Sequence, residues 1–101
     1  MTAKQKKQYK KELFAYLDFE YDDLTTINKL IKSSQKANLE IENVLFAYTL
    51  GLITAQYETT ASLLFEDHNK IDNDLLWRLN EEVSLAWVAK FLDKRDNKTV
   101  S

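Results

Sequence analysis

Residues 43–65 read NVLFAYTLGLITAQYETTASLLF, a run with one charge, Glu58, and the chain's single glycine, Gly51. A membrane span, buried strands or a buried helix would each accommodate such a run. About 20 apolar residues suffice to cross a bilayer. Here Asn43, Thr49, Thr54, Gln56, Glu58, Thr59 and Thr60 would all enter lipid, and an intramembrane acid is costly. No membrane span is expected. The β-branched and aromatic content favours strands, but strands need turns. Tight hairpins depend on glycine to reach positive φ or on proline to hold φ near −65°. This chain has no proline and one glycine, and that glycine lies inside the apolar run. Helices need only short connections capped by Asp, Asn, Ser or Thr, which are plentiful. The run is therefore read as a helix over 39–65. Ile41, Leu45, Tyr48 and Leu52 share one side, while Phe46, Leu50 and Ile53 occupy the other. A helix apolar all round is a buried one, so this third helix is expected to be long and central. The Thr59-Thr60 pair marks where it could kink or divide.

The rest of the chain supplies three more helices. Thr2-Ala3-Lys4-Gln5 has the spacing of a capping box, and the first helix follows over 3–19. Tyr9, Leu13, Tyr16, Leu17 and Tyr21 recur at helical steps along one side. Five lysines in its first turns lie at the unfavourable end of the helix dipole, which predicts fraying there. Asp22-Asp23 is read as the next N-cap, opening a second helix over 24–36 with the stripe Leu24, Ile27, Leu30 and Ile31. Asn38 is the expected cap of the third helix, with Glu40 and Glu42 in a first turn where the dipole favours acids. Asp72 or Asn73 caps the fourth, over 73–93, and a frayed polar tail fills 94–101. Its main stripe is Leu75, Leu76, Leu79, Val83, Ala86, Trp87 and Phe91. The fold expected is all-α, a small four-helix bundle forming one domain over 1–101.

Composition narrows the chemistry. The chain has no cysteine, which removes disulfides, thiolate catalysis and thiolate-bound metal. The lysine-rich start is unlike a signal peptide, and a cytoplasmic location is expected. The one histidine, His68, stands beside Glu66 and Asp67 in a polar loop with no second histidine to complete a ligand set. The adjacent acid pairs Asp22-Asp23, Glu66-Asp67 and Glu81-Glu82 sit at a cap, in a loop and on a helix face, where acids are ordinary, and adjacency is not convergence because successive residues on a helix point about 100° apart. Ser62 and Ser84 have no base at recognisable spacing, and no glycine-rich phosphate loop exists. No enzyme, metal or cofactor is expected.

Charge is unevenly spread. The net value is −2, yet residues 1–11 carry Lys4, Lys6, Lys7, Lys10 and Lys11 with no acid, while residues 12–89 hold five bases against fourteen acids. Residues 27–51 can be drawn as helix–turn–helix, but Glu40, Glu42 and Asn43 would then approach the DNA, where acids repel phosphate. Nucleic acid is therefore disfavoured as the main partner.

A surplus of apolar and aromatic surface remains, with five tyrosines, five phenylalanines and two tryptophans. The fourth helix carries a second stripe, Trp77, Leu85, Val88 and Leu92, which is either a second packed side or a docking face. Phe19 falls off the stripe of the first helix, next to an acidic rim of Asp18, Glu20, Asp22 and Asp23. Trp and Tyr anchor interfaces because they bury large areas at small entropic cost. The expectation is a non-enzymatic protein-interaction module that binds a partner protein through these residues, with a homodimer as one form of that association. Small acidic helical chains of this kind are common among regulators, inhibitors and immunity proteins of bacteria, phages and mobile elements. The alternative is a DNA-associated accessory protein gripping phosphate with Lys4, Lys6, Lys7, Lys10 and Lys11.

Overall fold

A computed structural model describes residues 2–20, 24–64 and 72–100, with residues 57–64 and 96–100 described as backbone. All four expected helices are present: α1 (Ala3–Glu20), α2 (Thr25–Lys36), α3 (Ile41–Leu64) and α4 (Asn73–Val100). Among the described residues there is no strand, as the missing turn chemistry requires. Helices α1, α3 and α4 pack pairwise around a common core, and α2 packs against α3.

Local signals account for three of the helix ends: the starts of α1 and α4 and the end of α2. The Thr2 backbone N–H donates to Gln5 Oε1 at 2.8 Å and the Gln5 N–H donates to Thr2 Oγ1 at 3.1 Å. This reciprocal capping box starts α1. Asp72 caps α4 by accepting the Asp74 N–H on Oδ1 at 3.0 Å. At α2 the outcome differs from the sequence expectation. Its N-cap position is Leu24, with no side-chain cap bond, and Asp22 and Asp23 lie outside the described residues.

Asn38 also takes a different role: it ends α2 rather than capping α3. Its φ is 58°, in the left-handed region that Asn tolerates better than most residues. The Asn38 N–H donates to Gln35 O at 3.2 Å and the Leu39 N–H to Ser34 O at 2.9 Å. That pair of bonds is a Schellman motif. Helix α3 then begins at Ile41, with the Glu40 carbonyl accepting the Val44 N–H at 3.2 Å.

Two further expectations are corrected. Helix α4 continues to Val100 instead of ending near residue 93. No glycine or proline interrupts 94–100, and basic residues are favoured near a helix C-terminus. Helix α3 is continuous through Thr59–Thr60 and lies against the other three helices, but it is not buried all round. Leu45, Thr49 and Ile53 are buried, whereas Ala47, Tyr48, Gly51 and Ala55 face solvent. Three of those four carry almost no apolar side-chain area, so leaving them exposed costs little.

The core combines Tyr9, Leu13 and Leu17 of α1, Ile27 of α2, Leu45 and Ile53 of α3, and Leu76, Leu79, Val83, Trp87 and Val88 of α4. Fully burying one such aliphatic side chain contributes about 1.5–3 kcal/mol. Ala86, placed in the α4 stripe by its spacing, is exposed.

Candidate interaction surfaces

The seam between α1 and α4 is held by polar contacts at three levels. In the core, the Tyr9 hydroxyl donates to Asn80 Oδ1 at 2.8 Å. Nearer solvent, Lys10 Nζ pairs with Glu82 Oε2 at 3.1 Å. Towards the end of α1, the Trp87 indole N–H donates to Asp18 Oδ1 at 3.0 Å, while Lys90 Nζ lies 3.6 Å from Asp18 Oδ2. Lys90 also sits 4.8 Å from the centre of the Phe14 ring, within cation–π range. Trp87 stacks on Phe91 with ring centres 5.4 Å apart. Between α3 and α4, the hydroxyls of Thr49 and Ser84 are hydrogen-bonded in the core, and Ser84 also donates to Phe46 O at 3.3 Å.

These contacts separate the sequence-derived candidates. On α4, Trp77 is 48% exposed and Leu85 57%, while Leu92 is half-buried. Val88 is buried at 3% and belongs to the core, which removes it from any docking face. Phe19 is 79% exposed and Glu20 is exposed beside it. Asp18 is engaged by Trp87 and Lys90, so it works as an internal tie between α1 and α4. Asp22 and Asp23 fall outside the described residues. Tyr16 adjoins this rim, and its phenol is pushed above the ordinary range by burial first, then by the charge of Glu20 and a hydrogen bond to it.

The lysines of α1 also divide. Lys4, Lys7 and Lys11 are exposed, Lys6 and Lys10 are half-buried, and Lys10 is paired to Glu82. Lys7, Lys10 and Lys11 join Phe14, Ala15 and Asp18 around a shallow groove of about 420 Å³. The groove's single carboxylate, Asp18, is already occupied by Trp87 and Lys90, so no pair of acids is available there for proton transfer. Among the described residues, no group of three or more His, Cys, Asp or Glu is placed to hold a metal ion. His68 lies outside them. No helix among the described residues is long and apolar enough to cross a membrane.

Sequence reasoning missed two exposed features. Leu39 is 59% exposed and Tyr48 41%. Tyr48 belongs by spacing to a stripe of the third helix and Leu39 opens that helix at 39, and spacing alone cannot assign either to a surface. The second is a row of lysines on α2, Lys29, Lys32 and Lys36, all exposed. Its signal was present as i, i+3, i+7 spacing, but was hidden by summing charge over the acidic body. Comparison with known protein families, with characterised proteins and with solved structures returns no match.

Proposed function

We propose that this chain is a non-enzymatic helical interaction module that binds another protein through the outer side of α4. The observation behind this reading is the exposure of Trp77 and Leu85, two large apolar side chains on a helix whose opposite side is core. A single exposed leucine is ordinary. An exposed tryptophan on the same ordered helix is a stronger sign, because Trp is the residue type most enriched at binding hot spots. Half-buried Leu92 extends the strip along α4. In this reading the protein is a regulator, inhibitor or immunity-type factor, and it acts by occupying its partner rather than by chemistry.

The partner is either an unlike protein or a second copy. Mass in solution by light scattering, compared for wild type and a Trp77→Ser/Leu85→Ser double variant, separates the two. A wild-type dimer that becomes a monomer with unchanged circular dichroism assigns the strip to self-association. A wild-type monomer assigns it to an unlike partner, which should be recovered by cross-linking in the native host and lost with the double variant. Loss of helical content in the double variant would show the strip to be core and sink the proposal.

A further inference from the structure

Helix α2 differs from the rest of the body in charge. From Leu24 to Leu39 the chain contains no acid, although it has sixteen acids in total, and Asp23 and Glu40 bracket the stretch. The apolar side of α2 is turned inward: Ile27 is buried, Leu30 and Ile31 are half-buried, and the helix packs against α3. Lys29, Lys32 and Lys36 occupy the opposite side and are exposed. None of the three forms an ion pair among the described residues. Their spacing aligns them in a row spanning about 10 Å along the helix. Exposed Asn28, Ser33 and Gln35 flank the row with hydrogen-bonding side chains.

We infer that this outer face of α2 lies against the phosphodiester backbone of a nucleic acid. The composition selects that partner over the others that lysine attracts. A membrane-surface helix needs an apolar face to sink into lipid, and the apolar face of α2 is spent on α3. A protein partner is expected to meet aromatic or arginine anchors, whereas lysine is depleted from protein interfaces. Lysine with Ser, Asn and Gln is the set that contacts phosphate oxygens. Such contacts position the chain without reading bases, so binding is independent of sequence. Exposed acids more than about 10 Å from the row are largely screened at 0.1 M salt, whereas Asp23 and Glu40, which adjoin it in sequence, bound the stretch that can face phosphate. The inference is separate from the α4 strip, and the Trp77→Ser/Leu85→Ser variant should retain it.

The test is fluorescence anisotropy with a labelled DNA duplex of mixed sequence, titrated with the full chain between about 50 and 200 mM salt. Wild type should bind two unrelated duplexes equally, with affinity falling steeply as salt rises. A Lys29→Gln/Lys32→Gln/Lys36→Gln variant should weaken binding by at least about tenfold at the lowest salt and flatten the log–log salt slope by about 3. Because all three positions are exposed, helical content and melting should not change; should the triple variant misfold, Lys32→Gln alone should flatten the slope by about 1. The inference is overturned if wild type fails to bind at low salt, or if the α2 variant keeps the wild-type slope. It is equally overturned if only Lys4→Gln/Lys7→Gln/Lys11→Gln abolishes binding, or if these lysines drive flotation with phosphatidylglycerol vesicles while duplex binding is absent.

Discussion

The hydroxyl of Tyr9 donates a 2.8 Å hydrogen bond to Oδ1 of Asn80, joining α1 to α4 through residues that are 0% and 1% exposed. Tyr9→Phe withdraws the donor and strands a buried carbonyl, at a cost of about 1–3 kcal/mol. Asn80→Leu takes away the acceptor of that bond. The double variant removes both groups, so its loss of stability in urea denaturation should be smaller than the sum of the single losses. Additive losses would show that the two side chains do not interact.

Val88 and Leu85 divide core from surface on α4. Val88→Ala should cost about 2 kcal/mol, from lost burial and the cavity left behind. Leu85→Ser should stay within about 0.5 kcal/mol. Equal costs in thermal melts would contradict the assignment.

Gly51 lies inside α3, is exposed, and a Cβ added there would meet nothing within 4 Å. Gly51→Ala should stabilise the chain by about 0.5–1 kcal/mol, since glycine gives up the most backbone freedom in a helix. That corresponds to a melting rise of roughly 2–8 °C for a domain of this size. A fall would mean that another surface already occupies the space above Gly51.

Thr54 has a buried Oγ1 with no hydrogen-bond partner among the described residues. Thr54→Val keeps the shape and removes the unsatisfied hydroxyl. Stability should rise by about 1 kcal/mol, and a loss would show that the oxygen is satisfied.

Tyr16 makes stability pH-dependent at the alkaline end. Burial and the neighbouring Glu20 raise its pKa in the folded chain. The folded state therefore keeps the proton at a pH where the unfolded chain releases it, and the stability this contributes is lost as pH rises above about 10. Absorbance titration of phenolate should give a wild-type minus Tyr16→Phe difference curve with its midpoint above about 10. Tyr16→Phe should also lose less stability at alkaline pH than wild type. A midpoint at or below the ordinary phenol value would refute the assignment.

Helix number, order and two of the four expected N-caps were legible in the sequence because they are local. The Thr2–Gln5 capping box and the Asp72 cap involve groups within three residues of one another, so no distant packing is needed to form them. Asn38 misled because the same side chain serves at a helix start and at a left-handed helix end. Which role it takes depends on where α3 must start to reach the core. The candidate site was only partly legible. Trp77 and Val88 sit about 20° apart around α4 but roughly 16 Å apart along it; one is 48% exposed and the other 3%.

What the sequence determined alone is the all-α class. A chain with no proline and one mid-helix glycine cannot make the turns a sheet requires, and its apolar residues repeat at helical spacing. What only the tertiary structure decided is which apolar and charged groups remain at the surface. Periodicity gives each side chain an angle on its own helix, whereas burial depends on how far neighbouring helices overlap it. That overlap took Val88 into the core, tied Asp18 to Trp87 and Lys90, and left Trp77, Leu85 and the lysine row of α2 in solvent.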